Sequence, residues 1–461
     1  MASNAELTCW DSHHFWHAFT QMATYNSLVV DRAEGVWLYD IEGNRYLDGV
    51  SSMWCNLLGH AHPQINAAIR DQLDKVAHST SLGMGSRPAA TLAKRLADIT
   101  PGDLQHVFYG SDGSSVTEVA LKMAFQYWRQ CATPKPDKTN YIALGEAYHG
   151  DTLGSASVGG IARFHEIFQP LLFDVIRLPS PDPRALPAEI ATSQAAEYYL
   201  SQLEAVLADR HQEIAAFVLE PLIQGAAGMV FHPPGYLRGV RELTQKFEVL
   251  LITDEIVTGF GRTGKMFACQ HEDVVPDILC LGKSITGGYL PLSAAVTHTE
   301  IYQAFLGDAA SGRSFLHGHT YGGNPLAAVA ALATIDLLEA GQIVEQLHER
   351  AGQLGAWLDK LAAHPHVSST RQHGMIAAVE LTAVPDASHA YPPDLQVANR
   401  ICSETLRRGV WLRPLRDTLV IMPPLTIDAD EIDFLMSALL QSIEHVTAEL
   451  SESTVTSSSS N

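Results

Sequence analysis

Residues Val249–Glu255 read VLLITDE, an apolar run that stops on two acids. A strand with one wet face alternates apolar and polar residues; a run apolar at consecutive positions is buried on both faces, as in a parallel sheet covered by helices. Upstream, IAAFVLE at Ile214–Glu220 has the same character, and GYLRGVRELTQKF lies between the two with helical periodicity. Farther upstream, HVFYG (His106–Gly110) leads into SSVTEVALKMAFQYW, where Val116, Val119, Ala120, Met123, Ala124 and Tyr127 recur at helical spacing. This alternation predicts an α/β fold, a large domain over residues 61–330 whose mostly parallel sheet is flanked by helices.

The two ends read differently. GVWLYDIEGNRYLDG (Gly35–Gly49) predicts a hairpin around Glu42-Gly43-Asn44, and GVWLRPLRDTLVIMPP (Gly409–Pro424) predicts another strand pair. Residues 1–60 and 331–450 are therefore expected to build a smaller α+β domain together. SESTVTSSSSN, residues 451–461, is expected to be a disordered tail, because it has too few apolar groups to order itself.

With 51 acidic against 30 basic residues, a formal charge of -21, the surface repels phosphate backbones and anionic lipid. Neither nucleic acid nor a membrane is an expected partner. The first residues carry no basic stretch followed by an apolar core, so no secretory signal is expected. PLAAVAALATIDLLEA (Pro325–Ala340) is too short and too interrupted for a membrane span. Six scattered cysteines without a C-x-x-C pair read as reduced thiols of a cytoplasmic protein.

Two motifs mislead. GFGRTGKM (Gly259–Met266) fits the phosphate loop of nucleotide hydrolases except that Met266 stands where a magnesium-holding hydroxyl belongs. It reads as an ordinary Gly-rich loop. His60-Ala61-His62 and His317-Gly318-His319 lack the converging third and fourth ligands that zinc requires, so no metal is expected.

The remaining signals converge. YGSDGSSVTEV (Tyr109–Val119) is a strand, a Gly/Ser turn and a helix start; alone, it is either an anion site or an ordinary N-cap. Asp254 ends VLLITD at the sheet edge where parallel folds place ligands. Lys283 follows the next apolar run, DILCL, and can reach the same edge. A lysine amine, an acid and an anion cradle together are the set that pyridoxal phosphate requires.

At this point the chain resembles the class III pyridoxal-phosphate-dependent aminotransferases of fold type I. The resemblance rests on GSDGSSVTEVALKMA, AYHGDTLGS, VLEPLIQGAAGM, LLITDEIVTGFGRTGKMFA, PDILCLGKSITGGYLPLSA and HGHTYGGNPLAA, which run through most of the chain. It implies that Lys283 holds the cofactor covalently and moves the substrate proton, and that Asp254 faces the ring nitrogen. Gly113 and Ser114 fall where the family binds phosphate, and Tyr148 where a ring covers the cofactor face. Thr320 matches a residue given to the phosphate of the neighbouring subunit, with Gly318 and His319 beside it, which implies a homodimer with interfacial sites. Arg413, in WLRP, matches the arginine that grips a substrate carboxylate.

FWHAFTQM, GVSSMWCNLLGHAHP, YHGDTLGSASVGGI and WLRPLRDTLVIMPP resemble one branch of that family. Its members pass an amine from S-adenosylmethionine, in some cases lysine, to the C7 ketone of 8-amino-7-oxononanoate in biotin biosynthesis. Met53 and Trp54 match that branch's substrate wall. Phe19, Met53 and Val420 stand where the enterobacterial form of that branch carries Tyr, Trp and Tyr, and His319 where it carries Pro, which leaves the donor open. An ω-amino acid or diamine aminotransferase, or an aminomutase or racemase of the same fold, are the alternative readings.

Overall fold

The computed structural model describes residues 2–384 and 389–458. Its centre is a seven-stranded sheet of β1 (Leu104–Gly110), β2 (Asn140–Leu144), β3 (Ile176–Leu178), β4 (Ile214–Leu219), β5 (Leu250–Asp254), β6 (Ile278–Leu281) and β7 (Ser293–His298). The spatial order is β1-β7-β6-β5-β4-β2-β3. Only β7 runs against the rest, pairing antiparallel with both β6 and β1. The other strands share one direction, so their C-terminal ends gather along one edge.

Every residue of β4, β5 and β6 is buried. That is why their sequences are continuous apolar runs, and each fully buried aliphatic or aromatic side chain there contributes about 1.5–3 kcal/mol. Helix α1 (Gly113–Gln130) buries Val116, Val119, Ala120, Met123, Ala124 and Tyr127, the face its periodicity predicts. Helix α2 (Tyr236–Lys246) links β4 to β5. Helix α3 (Pro325–Ala340) buries eight of its residues. Among the described residues no single helix is long and apolar enough to cross a membrane.

The expected hairpin pairs Trp37–Asp40 with Arg45–Asp48, turning through Gly43 at φ 86°. Asp40 Oδ1 accepts the N–H groups of Glu42 and Asn44 at 3.0 and 2.8 Å and closes the turn. Val410–Trp411 adds to this hairpin in parallel, joining the two chain ends in one sheet. A second small sheet orders Val367–His373, Ile376–Leu381, Thr418–Ile421 and Arg413–Leu415. In it Val420 is 1% exposed, packed in the core rather than facing substrate space. The whole strand Thr418–Ile421 is buried, so both of its faces are covered.

Two arginines tie these parts together. Arg262, fully buried, donates to the carbonyls of Pro423 and Asn56, so the Gly-rich loop is a structural strap running into a 3-10 turn at Ala268–Glu272. Arg371 donates to the carbonyls of Gly228 and Met229 and pairs with Glu380. Helix α4 (Ala429–Ser458) closes the chain. It makes the backbone helical across 451–458, part of the segment expected to be a disordered tail, because extending an existing helix costs far less than nucleating one. Residues 459–461 lie outside the described residues.

Candidate active site

The strand ends at the common edge build one polar cavity. Asp254 ends β5, Glu220 follows β4, His149 follows β2, and Lys283 follows β6 after Gly282. Together with Asp112, Gly113, Ser114, Tyr148, Ile256 and Trp54 they line a single pocket.

Asp254 is 5% exposed and held on both oxygens. Oδ2 accepts from His149 Nδ1 at 2.7 Å, and Oδ1 accepts from the Ile256 N–H at 3.0 Å. A carboxylate so fixed presents its remaining lone pairs in one direction. Lys283 sits in a left-handed backbone conformation, φ 42°, which a non-glycine residue adopts at a cost of order 1–3 kcal/mol. Its Nζ lies 5.5 Å from the Trp54 ring centroid and makes no hydrogen bond among the described residues. Burial pushes its amine below the ordinary lysine range, while the charges of Asp254, Glu220 and Cys55 oppose that shift.

Helix α1 begins beneath the same space. Asp112 caps it, accepting from the Ser115 N–H at 2.8 Å, while the Ser115 hydroxyl accepts from the Asp112 and Ser111 N–H groups. The N–H groups of Gly113 and Ser114 have no partner among the described residues, as the first turn of a helix leaves them. A Cβ at Gly113 would meet Ile256 at 3.1 Å, so a larger residue would crowd this cradle. The chemistry of this donor set fits pyridoxal phosphate: free amide donors at a helix start for an anion, a fixed carboxylate for a ring cation, and an unpaired amine.

Tyr148 closes one side. Its hydroxyl donates to Asp151 Oδ2 at 2.6 Å, and burial, then Asp151, push its ionisation up. Its backbone N–H donates to Glu220 Oε1 at 3.1 Å, and the Gly225 N–H donates to Oε2 at 2.8 Å. Glu220 is 4% exposed, and burial raises its carboxyl to about 7.

Beyond Lys283 and Tyr148 the cavity continues into an apolar pocket walled by Phe19, Met53, Trp54, Phe164, Trp411 and Leu415, with Arg413 and Arg163 as its charges. Met53 and Trp54 belong to four successive left-handed residues, Ser51–Trp54. Asp48 holds this turn, accepting from the Ser52 N–H at 2.8 Å, the Ser52 hydroxyl at 2.7 Å and His60 Nε2 at 2.9 Å. Arg413 Nη1 reaches Met53 Sδ at 3.3 Å.

Thus Lys283, Asp254, Gly113, Ser114, Tyr148, Met53, Trp54 and Arg413 meet in one connected space. Gly318, His319 and Thr320 do not line it. Gly318 and Thr320 are exposed, and His319 Nε2 faces His317 Nε2 at 3.2 Å. Sequence reasoning missed Glu220, His149, Asp151, Phe164 and Arg163. Glu220 ends an apolar run just as Asp254 does, so the same signal was there to find it.

A buried lysine and carboxylate at the edge of a largely parallel sheet, beside a helix start, define an α/β enzyme site of the pyridoxal-phosphate kind. The chain belongs to the class III aminotransferases, whose family pattern matches residues 19–443. It is 46% identical over 446 residues to the adenosylmethionine-8-amino-7-oxononanoate aminotransferase of Nitratidesulfovibrio vulgaris, covering 96% of this chain and 82% of that one. Its fold superposes with a TM-score of 0.90 on the crystal structure of the adenosylmethionine-8-amino-7-oxononanoate aminotransferase of Methanocaldococcus jannaschii, at 40% identity over 96% of this chain and 99% of that one. An (S)-enantioselective omega-transaminase from Thermomicrobium roseum superposes at 0.92 with 33% identity, over 97% of this chain and 99% of that one.

Proposed function

We propose that this protein is the transaminase of biotin biosynthesis that moves an amino group from S-adenosylmethionine, or lysine, to 8-amino-7-oxononanoate, giving 7,8-diaminononanoate. The observation that carries the reading is the joined cavity: a Lys283–Asp254 centre opening into an apolar pocket that ends on Arg413. An apolar wall suits a methylene chain, and a guanidinium suits the carboxylate at its end.

Pyridoxal phosphate, when bound, would supply an electron sink for the C–H bond broken at the substrate carbon. The chain's own residues do the rest. The Gly113 and Ser114 N–H groups would receive its phosphate, and Asp254, braced by His149, would pair with its ring nitrogen. Lys283 Nζ, its proton loosened by burial, would take the proton from the donor's reacting carbon and, in the second half, deliver one to the acceptor's former keto carbon. Tyr148 and Trp54 flank the reacting centre, and Phe19 and Phe164 line the apolar pocket beside it.

The active unit in this reading is a homodimer. Two features support it: Gly318–Thr320 lie outside their own chain's cavity, and Leu82, Met84, Leu316 and Tyr321 expose apolar surface between 59% and 87%. In that arrangement Thr320 serves the phosphate of the partner's site.

The test is product formation. Holoprotein given 8-amino-7-oxononanoate and either donor should yield diaminononanoate by mass spectrometry, and Lys283→Ala should lose both turnover and covalently retained cofactor. Steady-state turnover by Lys283→Ala would refute the role of the lysine. Turnover of ω-amines with no diaminononanoate from either donor would favour the reading suggested by the omega-transaminase likeness.

A further inference from the structure

The start of the chain reaches the substrate pocket without a core of its own. Helix Asn4–His14 buries none of its residues, and Phe15, Trp16 and Phe19 beyond it are exposed. Yet Phe19 lines the apolar pocket, its ring centroid 5.3 Å from that of Phe164 and 5.9 Å from Arg413 Cζ. It does so in a left-handed backbone conformation, φ 52°, which a phenylalanine keeps only when something holds it there.

Polar bonds do the holding. At the helix start, Asn4 Nδ2 donates to the Ile41 carbonyl at 2.8 Å and to Glu42 Oε1 at 3.1 Å, on the turn of the hairpin. Near the helix end, the Asp11 carboxylate gathers three side chains from the segment that follows. Oδ1 accepts from His17 Nε2 at 3.0 Å, and Oδ2 accepts from the Tyr25 hydroxyl at 2.8 Å and the Ser27 hydroxyl at 2.5 Å. The His17 ring lies between those of Phe15 and Tyr25, at 4.3 and 4.4 Å. Burial disfavours the charge on Asp11, but the bonds from Ser27, Tyr25 and His17 outweigh it and hold the carboxyl below its ordinary range. The loop that this clasp closes, from His17 to Tyr25, carries Phe19. None of Asp11, His17, Tyr25 and Ser27 lines the pocket itself.

We propose that Asp11 is a positioning residue: its clasp on His17, Tyr25 and Ser27 holds Phe19 in the wall of the apolar pocket, where the ring packs on the aliphatic chain of the keto acid. The identity of that chain rests on the function proposed above; the clasp does not. An unclasped segment visits many arrangements, and a ligand that needs Phe19 in place then binds more weakly, by the fraction of time the ring is there.

A double-mutant cycle tests this, read first in binding. Nonanoate, which has the carboxylate and chain but neither amine nor ketone, is titrated by calorimetry into holoprotein and into its Asp11→Ala, Phe19→Ala and doubly substituted forms. Asp11→Ala should weaken nonanoate about three- to tenfold, the population shift expected when charge-assisted hydrogen bonds are lost, and by no more than Phe19→Ala does. In the Phe19→Ala background the same change should cost less than about 1.5-fold, because the residue it positions is gone. Asp11→Asn, whose amide oxygen still accepts, should recover part of the loss. The KM for 8-amino-7-oxononanoate should follow the nonanoate pattern and rise by a larger factor than kcat falls. An Asp11→Ala loss that is the same with and without Phe19 overturns the assignment, as does unaltered nonanoate binding in either single variant. A wild type that binds no nonanoate overturns the packing of Phe19 on such a chain, and the assignment with it. If the wild type binds nonanoate but does not turn over 8-amino-7-oxononanoate, the biotin reading fails, and the cycle still decides the role of Asp11.

Discussion

At the scale of single residues, the site is a set of charges placed at strand ends. Asp254 and Lys283 were legible because each interrupts an apolar run at an edge where a charge needs a reason to be buried. Glu220 obeys the same rule. Its buried carboxyl, raised from the ordinary 4.5 to about 7, has a consequence for stability. A carboxyl raised on folding binds its proton more tightly in the folded chain, so folding stability falls as pH rises from the ordinary carboxyl range through about 7. Glu220→Gln removes that dependence. Thermal melts of cofactor-free protein should show the variant gaining on wild type from pH 4.5 to 7 and holding a constant lead above. A difference that stays flat across this range would contradict the assignment. Arg163 was not legible, because an exposed arginine in the short helix Ala162–His165 looks like any solvated charge until the fold sets it in the same pocket as Arg413.

At the scale of elements, the least legible feature is the turn Ser51–Trp54. SSMW contains no glycine or asparagine to announce four left-handed residues, and local propensity points elsewhere. Tertiary bonds decide it: Asp48 gathers the Ser52 N–H, the Ser52 hydroxyl and His60. The turn thereby sets Trp54 over Lys283 and Met53 against Arg413. Met53, at φ 73° and 39% exposed, stores strain that glycine would not. Met53→Gly is expected to stabilise the protein by about 0.5–1 kcal/mol while raising the KM for the long-chain substrate. Denaturant unfolding and steady-state kinetics check the two signs, and a loss of stability would show that the turn is unstrained at this position. The antiparallel direction of β7 was likewise hidden, since periodicity reports burial and says nothing of direction.

At the scale of the molecule, alternating strands and helices made the central sheet readable, whereas the small sheet that begins at Val30 depends on contacts between the two chain ends. Val410–Trp411 pairing with Arg45–Asp48 joins residues that no local pattern links. The homodimer proposed above, in which the sites would share Thr320, makes a prediction of its own. Mixing Lys283→Ala and Thr320→Ala protomers builds, in the mixed dimer, one site with Lys283 from one protomer and Thr320 from the other. Activity should rise above the sum of the two parent variants as subunits exchange. If Thr320 acts within its own chain, no intact site forms and the activity stays additive.

The most direct measurement follows the absorbance of the loaded cofactor through two separated half-reactions. Holoprotein is mixed with S-adenosylmethionine or lysine alone, freed of donor, and then given 8-amino-7-oxononanoate. A single Lys283 site that serves both substrates in turn predicts that one of the donors converts the spectrum to the amine form and that the ketone restores it, with diaminononanoate released. A preformed amine form that 8-amino-7-oxononanoate leaves unchanged would contradict the account, leaving a class III aminotransferase with a different acceptor.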